Sequence, residues 1–201
     1  MLNQHKTIRD NIERFNKHLP LVEYLVPLVG DKKDIKIADI GSGPFSTIGR
    51  YLTGVKIEIY PSDRQDFTGF WKKYKVSPLF PIEYQNMENL TYPDEFFDIV
   101  HCNNALDHTI NALVAVKEMI RVCKTGGWIY IDCSLNQLST GYKHYWDAKE
   151  DGVFVNKTDK FDLKDFGFNI KFIDNGGESR YNRIIATLKN ISLPLDKEIN
   201  L

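Results

Sequence analysis

The feature that most constrains this 201-residue chain is a glycine turn at the end of a short apolar stretch. Residues 35–40 carry the apolar side chains of a buried strand, and they run directly into Gly41, Ser42 and Gly43. Glycine lacks a Cβ, so this turn can adopt positive φ and let a ligand approach the backbone closely. The sequence therefore predicts a cofactor loop at the end of the first strand of an α/β sheet.

The loop departs from the patterns that bind diphosphates. A dinucleotide fingerprint has three glycines, and Ser46 stands where the third belongs. The Gly-Lys-Ser/Thr of a P-loop is absent from this stretch. Asp39, two residues before the first glycine, would repel a diphosphate. A carboxylate at that position instead suits the cationic amino group of an amino-acid-type cofactor.

Predicted strands and helices alternate through the rest of the chain. Strands are predicted at residues 35–40, 55–60, 82–85, 96–102 and 128–133, and the helices between them at 46–52, 67–74 and 110–123. Two N-terminal helices are predicted at 6–17 and 21–29, and two late strands at 169–173 and 183–189, joined through a glycine turn.

This alternation predicts a parallel sheet with helices on both faces. We expect an α/β fold with a Rossmann-like, seven-stranded, mostly parallel sheet and an antiparallel terminal strand. Residues 1–201 are expected to form a single domain, with N-terminal helices over 1–30 and a loop-rich, substrate-side insertion over 134–159.

Composition excludes several functional classes. The 26 basic and 27 acidic residues nearly balance, which argues against a nucleic-acid or membrane-surface binder. No apolar run approaches about 20 residues, so no membrane span is expected. Cys102, Cys123 and Cys133 lack paired metal-type spacing and lie in apolar segments. They are expected to be reduced, buried thiols of a cytoplasmic protein, and no metal centre is expected.

Ligands of open α/β sheets bind at the carboxyl ends of the strands, so polar residues there are candidate site residues. Asp63 follows the second strand and can accept hydrogen bonds from both ribose hydroxyls of an adenosine, with Glu58 as the alternative. After the third strand, Asn86 is a candidate for the adenine amino group and Met87 for the adenine plane, with Glu88 as the alternative to Asn86.

Two later segments carry further candidates. The fourth strand is followed by Asn103 and Asn104, candidates for the amino-acid end of the cofactor, and then by Asp107 and His108. His144 lies in an aromatic loop beyond the fifth strand. Aromatic rings stack on sugar faces and polar groups orient hydroxyls. The acceptor-binding candidates are therefore Asn136, Tyr142, Tyr145 and Trp146.

Several motifs together resemble the class I S-adenosylmethionine-dependent methyltransferases. They are Asp-Ile-Gly-Ser-Gly-Pro-Phe at 39–45, Pro-Ser-Asp at 61–63, Phe-Asp-Ile-Val at 97–100, Asn-Ala-Leu-Asp-His at 104–108 and His-Tyr-Trp at 144–146. The last two are similar to the methyltransferases of bacterial capsule and surface-glycan gene clusters. The resemblance implies that Asp39 and the glycine turn hold the methionine part of S-adenosylmethionine. It also implies O-methylation of a sugar or of a group attached to one. Asn86 departs from the family, which usually has an acid there.

A hydroxyl acceptor is a poor nucleophile until its proton is removed. We expect His144 to be the base, with His108 as the alternative and Asp107 orienting the imidazole or binding the acceptor. Two other functions compete with this prediction. One is a nicotinamide-dependent oxidoreductase, and the other is a non-catalytic, methyltransferase-like subunit that binds a partner. The sequence predicts neither the acceptor molecule nor the oligomeric state.

Overall fold

The computed structural model describes residues 19–78, 80–135, 137, 144–175 and 182–190. The helix predicted at residues 6–17 lies outside this range. The strands are β1 Asp34–Ile40, β2 Lys56–Asp63, β3 Glu83–Tyr84, β4 Phe97–Asn103, β5 Cys123–Ser134, β6 Asp147–Ala148, β7 Val153–Val155, β8 Lys160–Asp162, β9 Asn169–Ile173 and β10 Arg183–Lys189. The helices are α1 Val26–Val29, α2 Thr68–Tyr74 and α3 Ala112–Val122, with 3-10 turns at Leu106–His108 and Leu163–Phe166.

Seven strands form one sheet in the order β3-β2-β1-β4-β5-β10-β9. The first five strands in this order, from β3 to β5, pair with their neighbours in parallel. The last strand of the chain, β10, runs antiparallel to both of its neighbours, β5 and β9. This topology confirms the predicted Rossmann-like sheet with an antiparallel terminal strand. It also brings the carboxyl ends of β1, β2 and β4 to one edge, where a ligand of such a sheet binds.

Side chains alternate across each strand, so the sheet has two apolar faces. On one face, Leu25 of the N-terminal segment packs on Ile37 of β1 and Ile99 of β4. On the other, Val116 and Met119 of α3 belong to a larger core that also contains Val100 of β4. The N-cap of α3 is Asn111, whose Oδ1 accepts a hydrogen bond from Val114 N. No helix among the described residues is long and apolar enough to cross a membrane.

The helix predicted at residues 46–52 is wrong. Gly49 has φ +73°, and a Cβ there would lie 1.8 Å from the carbonyl oxygen of Pro20. The segment instead runs alongside the N-terminal chain, where Leu21 N donates to Tyr51 O and Val22 N donates to Ile48 O. The helix predicted at 21–29 is also shortened, to α1.

Three further boundaries differ from the prediction. The second strand continues past residue 60 through Pro61 to Asp63, because Pro61 and Ser62 stay in register with Asp39 and Ile40 of β1. Strand β5 begins at Cys123 instead of residue 128. The loop-rich insertion at 134–159 contains β6 and β7, which join β8 in a separate three-stranded antiparallel sheet.

Candidate active site

A cleft of about 620 Å³ opens at the carboxyl ends of β1, β2 and β4. This volume lies within the usual range for sites that bind small molecules and cofactors. Its walls are formed by Ile40, Gly41, Gly43, Pro44, Ser62, Asp63, Arg64, Gln65, Phe67, Gln85, Met87, Asn104, Ala105, His108, Thr109 and Tyr145. The cleft therefore gathers seven of the predicted site residues, namely Gly41, Gly43, Asp63, Met87, Asn104, His108 and Tyr145.

The glycine turn forms one wall and adopts the backbone conformation expected of it. Gly41 and Gly43 have φ of +71° and +65°. The amides of Gly41 and Ser42 both donate to the carbonyl oxygen of Ser62, at 2.8 and 3.0 Å. A Cβ on Gly41 would lie 2.3 Å from the Cβ of Ala105, so the turn packs directly on the loop after β4. Ser42 itself is not among the residues lining the cleft.

Asp63 connects the end of β2 to the glycine turn. Its Oδ2 accepts a hydrogen bond from Gly43 N at 3.1 Å, and its Oδ1 accepts one from Gln65 N at 2.9 Å. An ionised carboxylate has about four acceptor positions. Asp63 therefore holds the turn in place and keeps acceptor capacity for a ligand hydroxyl. Glu58, the alternative ribose acceptor, bonds Lys56 and Tyr60 instead and is not among the residues of the cleft.

Asp39 points to the opposite face of the sheet from the cleft. Its carboxylate is 3% exposed, and Oδ1 accepts a hydrogen bond from His101 Nδ1 at 2.8 Å. Tyr24 OH donates to His101 Nε2 at 3.2 Å, and the Tyr24 ring stacks on Tyr130. Alternation explains this placement, because Ile40 lines the cleft and its neighbour in the strand must point away. The predicted contact between Asp39 and a cofactor amino group is not part of the observed cleft.

At the predicted adenine end of the cleft, the alternation of side-chain directions along the chain again decides which residues line it. Gln85 and Met87 line it, whereas Asn86 is exposed and its Oδ1 accepts from Glu88 N at 3.1 Å. Gln85 is buried and fixed by two hydrogen bonds with Thr91, at 2.8 and 3.1 Å. Glu88, the alternative to Asn86, accepts from Ile110 N at 2.8 Å. Sequence reasoning missed Gln85, although the two-residue repeat of a strand end places it on the same side as Met87.

The loop after β4 forms the wall opposite the glycine turn. Asn104 lines the cleft with φ +51°, and its backbone N–H donates to Asp132 O at 2.7 Å. A left-handed backbone is uncommon for a residue other than glycine, and asparagine tolerates it better than most. Asn103 ends β4, is exposed and does not line the cleft. Of the two predicted asparagines, Asn104 is the one in contact with the cleft.

Beyond this loop, a carboxylate and two imidazoles lie together. Asp107 is fully buried, and its Oδ2 accepts a hydrogen bond from His144 Nδ1 at 2.6 Å. The rings of His108 and His144 are tilted against each other with centroids 4.2 Å apart. His108 lines the cleft, whereas His144 lies behind it with a side chain only 7% exposed. The alternative base, His108, therefore lies nearer to the cleft than His144, the base expected from the sequence.

The aromatic loop is attached to the same carboxylate residue. The carbonyl oxygen of Asp107 accepts from Tyr145 N at 2.8 Å and from Trp146 N at 3.2 Å. Tyr145 is 46% exposed and lines the cleft. Trp146 is buried, donates from Nε1 to Ile110 O and packs edge-on against Phe161, so its ring anchors the loop rather than lining the cleft. Asn136 and Tyr142 lie outside the described residues.

Burial in the sheet keeps all three cysteines protonated. Cys102, Cys123 and Cys133 are free and buried, as predicted. Desolvation raises the pKa of Cys123 to about 12 and the pKa of Cys102 and Cys133 still further. A thiol so far from its thiolate form is a poor nucleophile and a poor metal ligand, so these side chains serve as packing groups.

Comparison with known proteins agrees with this geometry. Residues 38–131 match a family model described as a methyltransferase domain. This segment begins in β1 and ends in β5, so it contains the glycine turn, Asp63 and the loop after β4. No curated protein matches the chain in sequence.

Solved structures share the fold at low sequence identity. One chain in the complex between the Haloferax volcanii Trm112 methyltransferase activator and the putative methyltransferase is 13% identical, with a TM-score of 0.54 and coverage of 94% of each chain. A SAM-dependent methyltransferase from Methanosarcina mazei is 14% identical, with a TM-score of 0.52 and coverage of 86% of this chain and 99% of that one. The [4+2]-cyclase SpnF, 14% identical, has a TM-score of 0.51 over 84% of this chain and 79% of its own. Because the last protein is a cyclase, the fold by itself does not define the reaction.

The sheet topology, the glycine turn and the matched domain define a class I methyltransferase fold. Residues 38–131 therefore form a methyltransferase domain, a class of enzyme whose methyl donor is S-adenosylmethionine. The alternative of a nicotinamide-dependent oxidoreductase is not favoured.

The residues of the cleft fit this cofactor. Two glycines with positive φ expose the backbone of the turn, and a carboxylate stands at the end of β2. Met87 and Gln85 provide an apolar surface and an amide at the far end. In this cleft the turn and Asn104 could hold the methionine part of the cofactor, Asp63 the ribose, and Met87 and Gln85 the adenine.

Proposed function

We propose that the protein transfers the methyl group to a hydroxyl oxygen of a sugar, or of a group attached to a sugar, in a precursor of a bacterial surface glycan. The observation that carries this proposal is the cluster of Asp107, His108 and His144 at the wall of the cleft. An amine or thiolate acceptor needs less help with its proton than a hydroxyl does. A cluster of proton acceptors around a buried carboxylate suits the hydroxyl.

The acceptor side of the cleft has the surface that a sugar requires. Tyr145 presents an exposed ring that can stack on an apolar sugar face, and Thr109 and His108 offer polar atoms beside it. The surface-glycan assignment rests on the resemblance of the segments at 104–108 and 144–146 to methyltransferases of that group.

His108 takes the proton of the acceptor hydroxyl in this proposal. A general base must lie within hydrogen-bonding distance of the proton it removes, and His108 lies in the wall of the cleft while His144 lies behind it. His144 is then a positioning residue. Its Nδ1 donates to the buried Asp107 carboxylate, which fixes the ring that supports His108.

When bound, S-adenosylmethionine supplies an electrophilic methyl group on a sulfonium. The chain contributes alignment of the acceptor oxygen with that methyl group. It also contributes the site that receives the hydroxyl proton.

The base is tested by His108→Gln and His144→Gln variants. We expect His108→Gln to lower kcat by about 10²- to 10⁴-fold, the usual contribution of a general base, with little change in the KM for S-adenosylmethionine. His144→Gln should lower kcat less. The measurement is formation of S-adenosylhomocysteine with nucleotide sugars and monosaccharides as acceptors. A near-native kcat for His108→Gln would show that His108 is not the base.

The substrate class is tested in the same assay by varying the acceptor. Methylated product should form with sugar hydroxyls and be absent with amines or thiols of similar size. Methylation of a nitrogen or carbon atom instead of oxygen would overturn the proposed reaction.

A further inference from the structure

The fold brings together three side chains that are common metal ligands. Asp107, His108 and His144 each offer one ligand atom, and these atoms all lie within 4.8 Å of one another. Protein ligands hold Zn²⁺ at about 2.0–2.2 Å, which puts the ligand atoms of one ion roughly 3–4 Å apart. The cluster is therefore close to a coordinating arrangement, and small side-chain adjustments complete it.

A second observation concerns the hydrogen bonds of the Asp107 carboxylate. Asp107 is fully buried, and its Oδ1 is a buried oxygen with no hydrogen-bond partner among the residues that the structure describes. Its other oxygen accepts a hydrogen bond from His144 Nδ1. Among the described residues, that imidazole is also the only group that forms an ion pair with Asp107. Buried carboxylates are normally paired or coordinate a metal, because an unsatisfied buried oxygen has lost its hydration without a compensating interaction.

We propose that Asp107, His108 and His144 bind a divalent transition-metal ion of the Zn²⁺ type. Two imidazoles with one carboxylate suit Zn²⁺, Co²⁺ or Ni²⁺, whereas Mg²⁺ and Ca²⁺ take oxygen ligands. The ion reaches the site from the cleft, since His108 lies in its wall. Three protein ligands leave at least one coordination position for water.

The ion competes with the proton chemistry proposed above, and this consequence rests on the proposed function. Coordination uses the imidazole nitrogens and the carboxylate that the base requires. It also displaces the proton shared by His144 and Asp107. Bound ion therefore inhibits methyl transfer to a hydroxyl.

Metal binding is tested without any methyl transfer. The full-length protein, stripped with a chelator, is titrated with ZnCl₂ in a calorimeter, and Co²⁺ is added in parallel to record its visible d–d absorption. We expect one ion per chain, a Co²⁺ spectrum of nitrogen and oxygen ligands, and no binding of Mg²⁺. Asp107→Asn and His108→Gln should each weaken Zn²⁺ at least about 10-fold.

Two control variants separate this site from other ligands. A His5→Gln, His18→Gln double variant removes the histidines of the N-terminal segment, and Asp63→Asn removes a carboxylate of the cleft outside the cluster. Both should keep wild-type Zn²⁺ affinity. Absence of one-to-one binding to the wild type, or unchanged affinity in both cluster variants, would overturn the metal site. The Co²⁺ spectrum of the wild type decides the matter if a cluster variant does not fold.

The activity measurement distinguishes the two proposals. Inhibition by stoichiometric Zn²⁺, reversed by a chelator, supports both the metal site and the base. Binding with undiminished methyl transfer leaves the metal site standing and overturns the assignment of His108 as the base. Failure to methylate any hydroxyl overturns the proposed function and leaves the calorimetric result intact.

Discussion

At the scale of single residues, the glycine turn shows how two similar positions carry different constraints. Gly41 and Gly43 both have positive φ. A Cβ at Gly41 would lie 2.3 Å from Ala105 Cβ and 3.3 Å from Met87 Cε, whereas a Cβ at Gly43 would meet nothing within 4 Å. The backbone conformation thus requires glycine at both positions, and close packing adds a second requirement at Gly41 only.

We predict that Gly41→Ala destabilises the protein more than Gly43→Ala does. The left-handed backbone costs an alanine about 1–2 kcal/mol at either site. At Gly41, overpacking against Ala105 adds roughly 1–3 kcal/mol. The free energy of unfolding, measured by urea titration, gives the difference directly.

Gly54→Ala is the matched control outside the cleft, because Gly54 also has positive φ and open space around it. It should behave like Gly43→Ala in stability. Equal stability of the Gly41→Ala and Gly43→Ala variants would show that the contact with Ala105 yields to the new methyl group at no cost.

At the scale of elements, β4 carries buried polar groups near both ends. Near its start, Asp98 accepts hydrogen bonds from Lys32 Nζ at 2.7 Å, Lys124 Nζ at 2.9 Å and Lys36 N at 3.0 Å. Near its end, His101 connects Tyr24 to Asp39. These contacts fasten the N-terminal segment and the start of β5 to the centre of the sheet. They lie at the two ends of a strand whose interior is apolar.

Asp98 is predicted to stabilise the fold fully above about pH 4 and progressively less as the pH falls below that value. Burial raises the pKa of Asp98, but the hydrogen bonds from Lys32, Lys36 and Lys124 outweigh burial and hold the pKa below its ordinary value of 3.8. Because the folded-state pKa lies below the unfolded-state pKa, the stabilisation is present above 3.8 and is lost as pH falls through the folded-state value.

The check is a series of urea titrations from pH 7 to pH 3. Asp98→Asn should lower the free energy of unfolding at pH 7 and reduce its decline in the acid range. Asp34→Asn, at the exposed start of β1, controls for the loss of one surface charge. An acid decline in Asp98→Asn as steep as in the wild type would contradict the prediction.

The contact of Tyr24 with His101 is also testable at this scale. Tyr24→Phe keeps the stacked ring but removes the hydroxyl that donates to His101 Nε2, so we expect a loss of about 1 kcal/mol in the free energy of unfolding. Tyr51→Phe, whose hydroxyl bonds Thr53 at an exposed site, should cost almost nothing. Similar values for the two variants would show that the buried bond adds no stability.

At the scale of the whole molecule, the cleft joins segments that are far apart in the chain. Its walls come from the segments at the ends of four strands, β1 to β4, and from Tyr145 of the aromatic loop. A ligand that fills the cleft contacts all of these segments only in the folded state, and therefore stabilises that state by mass action.

S-adenosylhomocysteine should accordingly raise the melting temperature, and NAD at the same concentration should not. At about 100 times its Kd the ligand adds roughly 2.7 kcal/mol to the free energy of unfolding. Differential scanning fluorimetry measures both shifts. Asp63→Asn should reduce the shift caused by S-adenosylhomocysteine, because it removes the carboxylate assigned to the ribose. A larger shift with NAD would contradict the cofactor assignment.

The sequence by itself determined the sheet, the glycine turn and the cofactor class. These depend on local signals, namely apolar strands, glycines and the polar residues that follow each strand, and such signals are read within a few residues. Local signals gave a wrong prediction where a distant segment of the chain forms hydrogen bonds with the N–H and C=O groups that a local helix would have used. The helix predicted at 46–52 is replaced by pairing with the N-terminal segment, and Gly49 lies against Pro20.

Only the tertiary structure decided which polar side chains face the cleft. Asp39 and Asn86 point away from it and Gln85 faces it, because alternation along a strand fixes the direction of each side chain once one neighbour is placed. Only the fold, too, placed His144 beside Asp107, 37 positions earlier in the chain, with His108 in front of it. The cluster at the acceptor side is a product of long-range packing, which no short segment of sequence contains.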